Sequence, residues 1–517
     1  MKLNLAKTPA TYLIYAVCIL LWVFSFPVAL GGRLISPPWL NAVCVFFYFL
    51  FFLASLENKA PKTAFKIAFT LAFSAYYFIL NWIRISMHDH AGMPLWQAQI
   101  ALIMAASLVA LYPALAAAAF AYGSFFLKSQ RQRLLLGVLC FSAMELARQI
   151  TPFSGFPWLM PAYGLHALLS ICQVSSIIGV LGLSVCLYLV QFLLYQSLKY
   201  KTLTSSFVAL IVTGLLWVFG QHQIHYIQQL DTKTINMAWI QGNIPQSLKW
   251  TAQGKAMAMD IYNSLSKEHV NKGAEIIVWP EAAVTMLYDQ SSSKNKFNAD
   301  YLNTSYLLFG APSFIHREHE RYYQNSVFAV NQENTLLTRS DKFHLVPFGE
   351  YIPFPFSFIE KLVPAAAGSF ISGSEQSMIK LPQATFGTLI CYESLFGYLS
   401  RNMVAQGADI LINLTNDAWF NKSSGPYQHK VFAQFRAIET RRSLVRAANT
   451  GISTWFDASG IQQQSIALFE RGSLQASIPV YTSRSFYVRF PYLVSSIIIF
   501  ASLILLLNIQ KARKDEL

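Results

Sequence analysis

Three segments of this sequence end an apolar run in an ionisable side chain. Glu281 ends IIVWPE, Lys342 lies in SDKFHLVPFGE eight residues before Glu350, and Cys391 lies in TFGTLICYES two residues before Glu393. A thiol is a nucleophile, a carboxylate is a base and an ammonium group stabilises negative charge, so together these residue types could transfer an acyl group through a thioester. Because α/β domains place active sites at strand ends, we expect the three segments to converge.

Each residue also has an ordinary structural interpretation. Glu281 could complement the dipole of a following helix, Lys342 could be a solvated strand-end lysine, and cysteine is among the most buried residue types. Cys391 is nevertheless unusual, because it is the only cysteine between residues 222 and 487 and therefore has no disulfide partner there. The other five lie in or beside apolar spans: Cys18, Cys44, Cys140, Cys172 and Cys186.

The segments that must position these side chains read as short strands alternating with helical stretches. Both faces of the strands are apolar, which predicts an α/β domain whose sheets are covered on both sides. The predicted strands are 235–241, 274–280, 305–313, 325–331, 386–392, 408–416, 444–449 and 453–458, with helices near 252–269 and 426–442. The segment 351–384, rich in Pro, Gly and Ser, is predicted to be an irregular lid or a loop that faces the membrane.

The rest of the chain is too apolar for an ordinary soluble protein. The 517 residues are 54% hydrophobic, and the mean hydropathy is +0.38. About eight membrane spans are predicted, near 9–29, 38–56, 64–84, 95–127, 134–150, 171–198, 204–221 and 491–509. We therefore expect a membrane domain of seven helices over 1–221, a catalytic domain over 222–487, and a final span with a tail over 488–517.

The positive charge follows the membrane part. Of the net charge of +14, residues 222–487 contribute only +2, from 22 Lys and Arg against 20 Asp and Glu. Most of the other basic residues lie at both termini and at alternate connections: Lys2, Lys7, Lys59, Lys62, Lys66, Lys128, Arg131, Arg133, Lys199, Lys201, Lys511, Arg513 and Lys514. This pattern predicts cytoplasmic termini and a catalytic domain on the outer side, and it argues against a nucleic-acid partner.

The order of Glu281, Lys342 and Cys391 resembles the Glu-Lys-Cys triad of the nitrilase superfamily. Seven preceding spans and one following span narrow the resemblance to its integral membrane members, the apolipoprotein N-acyltransferases. Four further stretches look like segments of that family: FSGFPWLMPAYG (153–164), QGNIPQSLKW (241–250), HLVPFGEYIP (344–353) and NDAWF (416–420). The resemblance implies a multi-span α-helical membrane domain joined to a nitrilase-like αββα sandwich.

The same resemblance implies a bacterial inner-membrane enzyme with two lipid substrates. It would take an acyl chain from a phospholipid and pass it to the α-amino group of a diacylglyceryl apolipoprotein, by a ping-pong route through a Cys391 thioester. The catalytic domain would be periplasmic. We expect a monomer in contact with membrane lipid, with no cofactor and no metal, since thiolate chemistry needs none.

Roles for individual residues follow from this chemistry. Glu281 would act as the base, and Lys342 would lower the thiol pKa and, with the N–H of Tyr392, hold the oxyanion. Glu350 would orient Lys342 or assist the second proton transfer, and Glu393 and Tyr392 would support the site. Candidates for shaping the lipid site are Trp250, Asn325 and Trp158.

Two other functions use the same residues. A membrane-tethered amidase or nitrilase would use the triad to hydrolyse a small substrate, although it would not need eight spans. A receptor that kept the fold and lost the chemistry would not need the triad. Glu145 and Arg148, three residues apart near the end of the fifth span, are predicted to form a structural ion pair, the alternative being that they line an opening toward lipid.

Overall fold

A computed structural model describes residues 9–127, 129–317, 320–357 and 370–516. Lys2, Lys7, Lys128 and residues 358–369 of the predicted lid lie outside these ranges. The chain forms two compact units. The first, called the helical unit, comprises Met1–Arg84, Trp96–Ile224 and Phe490–Leu517, and the second, called the α/β unit, comprises Ile85–Leu95 and His225–Arg489.

Helices account for most of the helical unit and for the outer layers of the α/β unit. Their bounds are α1 Pro9–Phe24, α2 Pro38–Leu56, α3 Pro61–Ile79, α4 Trp82–Ile85, α5 Leu95–Phe126, α6 Gln130–Ile150, α7 Leu169–Cys172, α8 Ser175–Tyr200, α9 Leu203–Gln228, α10 Ala252–Asn271, α11 Gly397–Ala405, α12 Gly425–Thr440, α13 Phe486–Arg489 and α14 Leu493–Glu516. A π-helical turn, Ser86–His90, follows α4.

The described residues contain a helix at each of the eight predicted spans, but not all of these helices are long and apolar enough to cross a bilayer. Five are long and apolar enough to cross a bilayer: α2, α5, α8, α9 and α14. A sixth is obtained if α3 and the bent continuation through His90 count as one span. Helix α1 has only 16 residues, and α6 carries several charges, so the structure supports five or six spans rather than firmly eight.

Strands form one small hairpin and two large sheets. Their bounds are β1 Ala29–Leu30, β2 Arg33–Leu34, β3 Thr234–Gln241, β4 Ile276–Val278, β5 Tyr288–Asp289, β6 Tyr306–Arg317, β7 Glu320–Val330, β8 Leu336–Asp341, β9 Met378–Lys380, β10 Thr385–Ile390, β11 Ile410–Thr415, β12 Leu444–Ala448, β13 Ser453–Phe456, β14 Gln462–Ile466 and β15 Gly472–Pro479. One sheet has the order β15-β3-β4-β6-β7-β8, with β5 beside β6, and the other has the order β14-β13-β12-β11-β10-β9.

The two sheets pack face to face, because their strands are apolar on both faces. In β3, Met237 and Trp239 enter a core shared with the other sheet, whereas Ala238 and Ile240 enter a second core that includes Tyr262 of α10. Helices α11 and α12 contact strands of the second sheet. This arrangement is an αββα sandwich, as the resemblance implied.

The α/β unit also includes a segment that lies far away in the sequence. Ser86 Oγ donates to the carbonyl oxygen of Trp419 at 2.7 Å, and Asn421 Nδ2 donates to Asp89 Oδ2 at 2.9 Å. Ile85–Leu95 therefore belongs to this unit although it lies outside the predicted domain of residues 222–487.

Within the helical unit, Glu145 and Arg148 form a buried ion pair. Glu145 Oε1 also accepts from the Tyr188 hydroxyl at 2.8 Å, and Arg148 donates to the Tyr76 hydroxyl at 3.3 Å. The pair and its two tyrosine partners thus link α6 to α8 and α3, which favours the structural interpretation.

Gly310 of β6 lies against the backbone of Glu281 and Ala282. A Cβ at this position would lie 2.6 Å from the backbone nitrogen of Ala282 and 2.7 Å from the Cα of Glu281. Gly310 also donates to the carbonyl oxygen of Pro280 at 3.2 Å. The position of Glu281 therefore depends on the absence of a side chain at residue 310.

We expect Gly310→Ala to lower the thermal unfolding midpoint in detergent by several degrees, since overpacking of this kind costs about 1–3 kcal/mol. Gly472→Ala is the matched control, because its Cβ would meet no atom closer than 3.5 Å. Equal midpoints for the two variants would contradict the close packing inferred at Gly310.

Candidate active site

Glu281 follows β4 and is almost completely buried. Its Oε1 accepts from Asn325 Nδ2 at 2.8 Å, and its Oε2 accepts from the backbone N–H of Asn416 at 2.8 Å. Each carboxylate oxygen thus has a neutral donor from a different sheet. Such contacts hold the side chain in place and leave the carboxylate able to accept a proton.

Lys342 directly follows β8 and is also buried. Its Nζ donates to Glu350 Oε1 at 2.8 Å, and Glu350 Oε2 accepts from the N–H of Val346 at 2.8 Å. The backbone N–H of Lys342 donates to the carbonyl oxygen of Asn325 at 2.8 Å, so Asn325 links Lys342 to Glu281. Glu350 thus makes the contact with Lys342 that the first of its two predicted roles, the orientation of Lys342, requires.

Cys391 directly follows β10 and is partly exposed. Its φ of 55° lies in the left-handed region, which is strained for a residue with a side chain. Strands β10 and β11 are parallel and pair Ile390 with Leu414, so Cys391 and Thr415 stand next to each other at the carboxyl ends of the two strands. The Thr415 hydroxyl is accordingly a hydrogen-bond partner of the thiol.

Glu393 connects the segment after Lys342 to the strand before Cys391. Its Oε1 accepts from the N–H groups of Phe343 at 2.7 Å and His344 at 3.0 Å, and its Oε2 accepts from the N–H of Ile390 at 2.7 Å. Burial raises the pKa of Glu393 to about 7, although these N–H donors and Lys342 act in the opposite direction. Glu393 therefore fixes the distance between the two segments.

Tyr392 is buried beside Glu393. Its ring makes an edge contact with that of Phe396, at 5.1 Å between centroids, and lies 6.0 Å from that of His344. The side chain therefore anchors the backbone that follows Cys391.

The pKa of the Cys391 thiol is raised overall, although Lys342 acts to lower it, as expected. Burial raises the pKa of the thiol and the charge of Glu281 raises it further, so the lowering effect of Lys342 is outweighed. For Lys342, burial alone would lower the pKa, but the carboxylates of Glu350 and Glu281 hold it above its ordinary value. The site consequently combines a protonated thiol with a firmly charged ammonium group.

Lys249 is a second buried lysine of the site, and the sequence analysis did not single it out. Its Nζ donates to the carbonyl oxygen of Glu281 at 3.2 Å. Burial lowers its pKa to about 8, while the charges of Glu281 and Cys391 act to raise it. Lys249 precedes Trp250 in QGNIPQSLKW (241–250), one of the stretches that look like segments of the family. That resemblance is the signal by which the sequence could have indicated Lys249.

The three residues proposed to shape a lipid site have different environments. Trp250 is 51% exposed, whereas the amide of Asn325 is engaged with Glu281. Trp158 belongs to the helical unit, where its ring packs 4.6 Å from that of Trp82, and it is only 1% exposed. Among the described residues, no group of three or more His, Cys, Asp or Glu side chains could hold a metal ion.

We expect Glu393→Gln to lower the thermal unfolding midpoint. An amide offers one acceptor oxygen instead of two, so at least one buried N–H group loses its partner, at a cost of about 1–3 kcal/mol. Glu268→Gln, at an exposed position of α10, is the control. If both variants unfold at the wild-type temperature, Glu393 does not hold the two segments together.

We also expect Lys249→Met to slow the alkylation of Cys391 by iodoacetamide several-fold at pH 7. An ammonium group whose pKa is raised by the thiolate must in turn favour the thiolate. The rate is followed by mass spectrometry of the peptide that contains Cys391, with the exposed Lys272→Met as control. An unchanged rate would mean that Lys249 does not act on the thiol.

The chain is similar to several known proteins. Residues 236–487 match the Carbon-nitrogen hydrolase family, and residues 20–193 match the Apolipoprotein N-acyltransferase N-terminal domain. The amidase of the nitrilase superfamily from Nesterenkonia AN1 is similar at 16% identity and a TM-score of 0.36, over 50% of this chain and 95% of that chain. Apolipoprotein N-acyltransferase from Shewanella oneidensis is 31% identical, over 89% of this chain and 90% of the relative. The enzyme of that name from Geobacter metallireducens is 33% identical over 85% of both chains, and this chain therefore belongs to the apolipoprotein N-acyltransferase family.

Proposed function

We propose that this protein transfers an acyl chain from a membrane phospholipid to the α-amino group of the N-terminal diacylglyceryl cysteine of apolipoproteins. The observation that carries the proposal is the set of contacts that brings Glu281, Lys342 and Cys391 together at strand ends, in a chain of this family. The five or six apolar helices suit an enzyme whose two substrates keep their long chains in a bilayer.

In the first half-reaction, Cys391 Sγ attacks the ester carbonyl carbon of the phospholipid. Because the thiol pKa is raised, the proton must leave as the C–S bond forms, and Glu281 takes it. The ammonium group of Lys342 and the backbone N–H of Tyr392 stabilise the oxyanion. The C–O bond then breaks, Glu281 returns the proton to the departing lysophospholipid oxygen, and the thioester remains.

In the second half-reaction, the lipoprotein amine attacks the thioester carbon. Glu281 takes a proton from the nitrogen as the C–N bond forms, and it returns that proton to the sulfur as the C–S bond breaks. A thiol with a raised pKa is a poor leaving group as an anion, so proton return from Glu281 is as important here as proton removal is in the first half. Glu350 keeps the Lys342 ammonium group directed during both halves.

Placement in the cell is part of the proposal. The apolar helices and the family suggest a bacterial inner-membrane protein. The basic residues at alternate connections support a periplasmic catalytic domain with both termini in the cytoplasm. We also propose that the protein acts as a monomer and binds no nucleic acid, and that residues 222–487 together with Ile85–Leu95 form the catalytic part.

The alternative of a membrane-tethered amidase gains nothing from the family assignment. The relatives from Geobacter metallireducens and Shewanella oneidensis are both called apolipoprotein N-acyltransferases. A hydrolase would transfer the acyl group to water instead of to an amine, so the second half-reaction distinguishes the two functions.

Incubation with phospholipid alone should add one fatty-acyl mass to the intact protein, as measured by mass spectrometry. The adduct should be labile to hydroxylamine and absent from Cys391→Ala. Glu281→Gln and Lys342→Met should slow its formation by about 100- to 1,000-fold, since the loss of a general base or of an oxyanion donor costs about that much. Lys380→Met, at an exposed position of β9, should form it at the wild-type rate.

A diacylated lipopeptide should then discharge the adduct and become triacylated. Release of free fatty acid without a triacylated product would instead indicate a hydrolase. Failure of the wild-type protein to form any adduct would overturn the proposed ping-pong route.

A further inference from the structure

His429 of α12 is a buried histidine that the proposed mechanism does not use. Its Nε2 lies 3.0 Å from the carbonyl oxygen of Cys391, and its Nδ1 lies 2.8 Å from Asp417 Oδ1. A carbonyl oxygen only accepts hydrogen bonds, so Nε2 carries the shared proton. The side chain of His429 therefore holds the backbone of the nucleophile rather than its sulfur.

Asp417 is itself firmly held. Arg446 Nη2 donates to its Oδ2 at 2.7 Å, and the Thr415 hydroxyl donates to its Oδ1 at 3.2 Å. Burial would raise the pKa of Asp417, but the charges of Arg446 and His429 hold it at about 2. The carboxylate of Asp417 is thus ionised at every physiological pH. It holds Thr415, which contacts the Cys391 thiol, and His429, which contacts the Cys391 carbonyl oxygen.

The imidazolium form of His429 makes both contacts at once: Nδ1–H donates to Asp417 Oδ1 and Nε2–H donates to the carbonyl oxygen of Cys391. The neutral tautomer with its proton on Nε2 keeps the hydrogen bond to Cys391 but gives up the one to Asp417, and its Nδ1 can accept from Arg446 Nη2, which lies 3.2 Å away.

The contact acts on a strained point of the chain. A non-glycine residue in the left-handed region is strained and persists only where its surroundings fix it. Cys391 is fixed from both sides, since Glu393 accepts from the N–H of Ile390 before it and His429 donates to the carbonyl that follows its Cα.

Fixing the carbonyl of Cys391 also fixes the next N–H group. The peptide between Cys391 and Tyr392 is planar, and in a trans peptide the C=O and N–H bonds point in opposite directions. The direction of the Tyr392 N–H, the proposed second oxyanion donor, is thereby set by a hydrogen bond on the far side of the same peptide. An oxyanion donor is effective only when it lies within roughly 0.5 Å of its best position.

We propose that His429, held by the Asp417–Arg446 ion pair, is a positioning residue that directs the Tyr392 N–H at the oxyanion formed on Cys391. The inference rests on the proposed function only in taking Cys391 as the residue that is acylated. It concerns the formation of any tetrahedral intermediate there, from whatever ester supplies the acyl group.

Two reactions of Cys391 distinguish a loss of oxyanion-donor positioning from a general disruption of the site. Acylation by a p-nitrophenyl ester passes through an oxyanion, whereas alkylation by iodoacetamide does not. We expect His429→Leu to slow the release of p-nitrophenolate in the first turnover by about 10- to 100-fold, and to change the alkylation rate of Cys391 by less than about threefold. His429→Gln keeps an N–H donor at similar reach and should recover part of the acylation rate.

His269→Leu is the matched control. His269 is another buried histidine of the α/β unit, and its Nδ1 bonds to Gln475 of β15 rather than to the site. It should leave both rates unchanged. Equal losses of acylation and alkylation in His429→Leu, or no loss of either, would overturn the inference.

Failure of the role inferred for His429 can be distinguished from failure of the proposed function. A wild-type protein that reacts with the p-nitrophenyl ester but not with phospholipid would refute the acyl donor and leave the role of His429 open to the same measurement. A wild-type protein that reacts with neither ester would overturn both.

Discussion

The site depends on keeping two buried charges of opposite sign beside one thiol without letting them neutralise each other. If Lys342 paired directly with Glu281, the base would be occupied and the cation would point away from the oxyanion. Lys342 instead pairs with Glu350, while Glu281 accepts from two neutral donors, the Asn325 amide and the Asn416 N–H. Asn325 touches both sides, since its carbonyl also accepts from Lys342, so one strand residue sets the spacing of the base and the cation.

The sandwich makes this arrangement possible. Glu281 and Lys342 follow strands of one sheet and Cys391 follows a strand of the other, so the face-to-face packing of the sheets brings the three together. The contacts that cross between the sheets are short and directional. Glu281 accepts from Asn416, which follows β11, and Glu393 beside β10 accepts from Phe343, just after β8. Burial strengthens each of these hydrogen bonds and makes each costly to break.

The raised pKa of Cys391 determines what kind of nucleophile it can be. A preformed thiolate would be nucleophilic before substrate binds, whereas in the proposed mechanism the thiol with a raised pKa becomes nucleophilic only as its proton moves to Glu281. The supports of Cys391 are consequently concerned with geometry rather than with activation at rest. Glu393 holds the residue before it, Thr415 contacts its sulfur, and His429 holds its carbonyl. A second lysine, Lys249, adds positive charge next to the base.

The sequence by itself determined the α/β class of residues 222–487, the apolar helices and the residues proposed to carry the chemistry, because residue type and hydrophobic period are local. It located eight apolar strands, but not β8, β14 and β15, where polar residues at exposed positions obscure the pattern, nor the short strands β1, β2, β5 and β9. Only the tertiary structure decided which groups hold the site. Lys249, Asn416 and the set of Asp417, His429 and Arg446 act through contacts between distant segments, which no local pattern encodes. The sign of the thiol pKa shift was likewise decided by burial, since a nearby lysine in the sequence shows attraction but not desolvation.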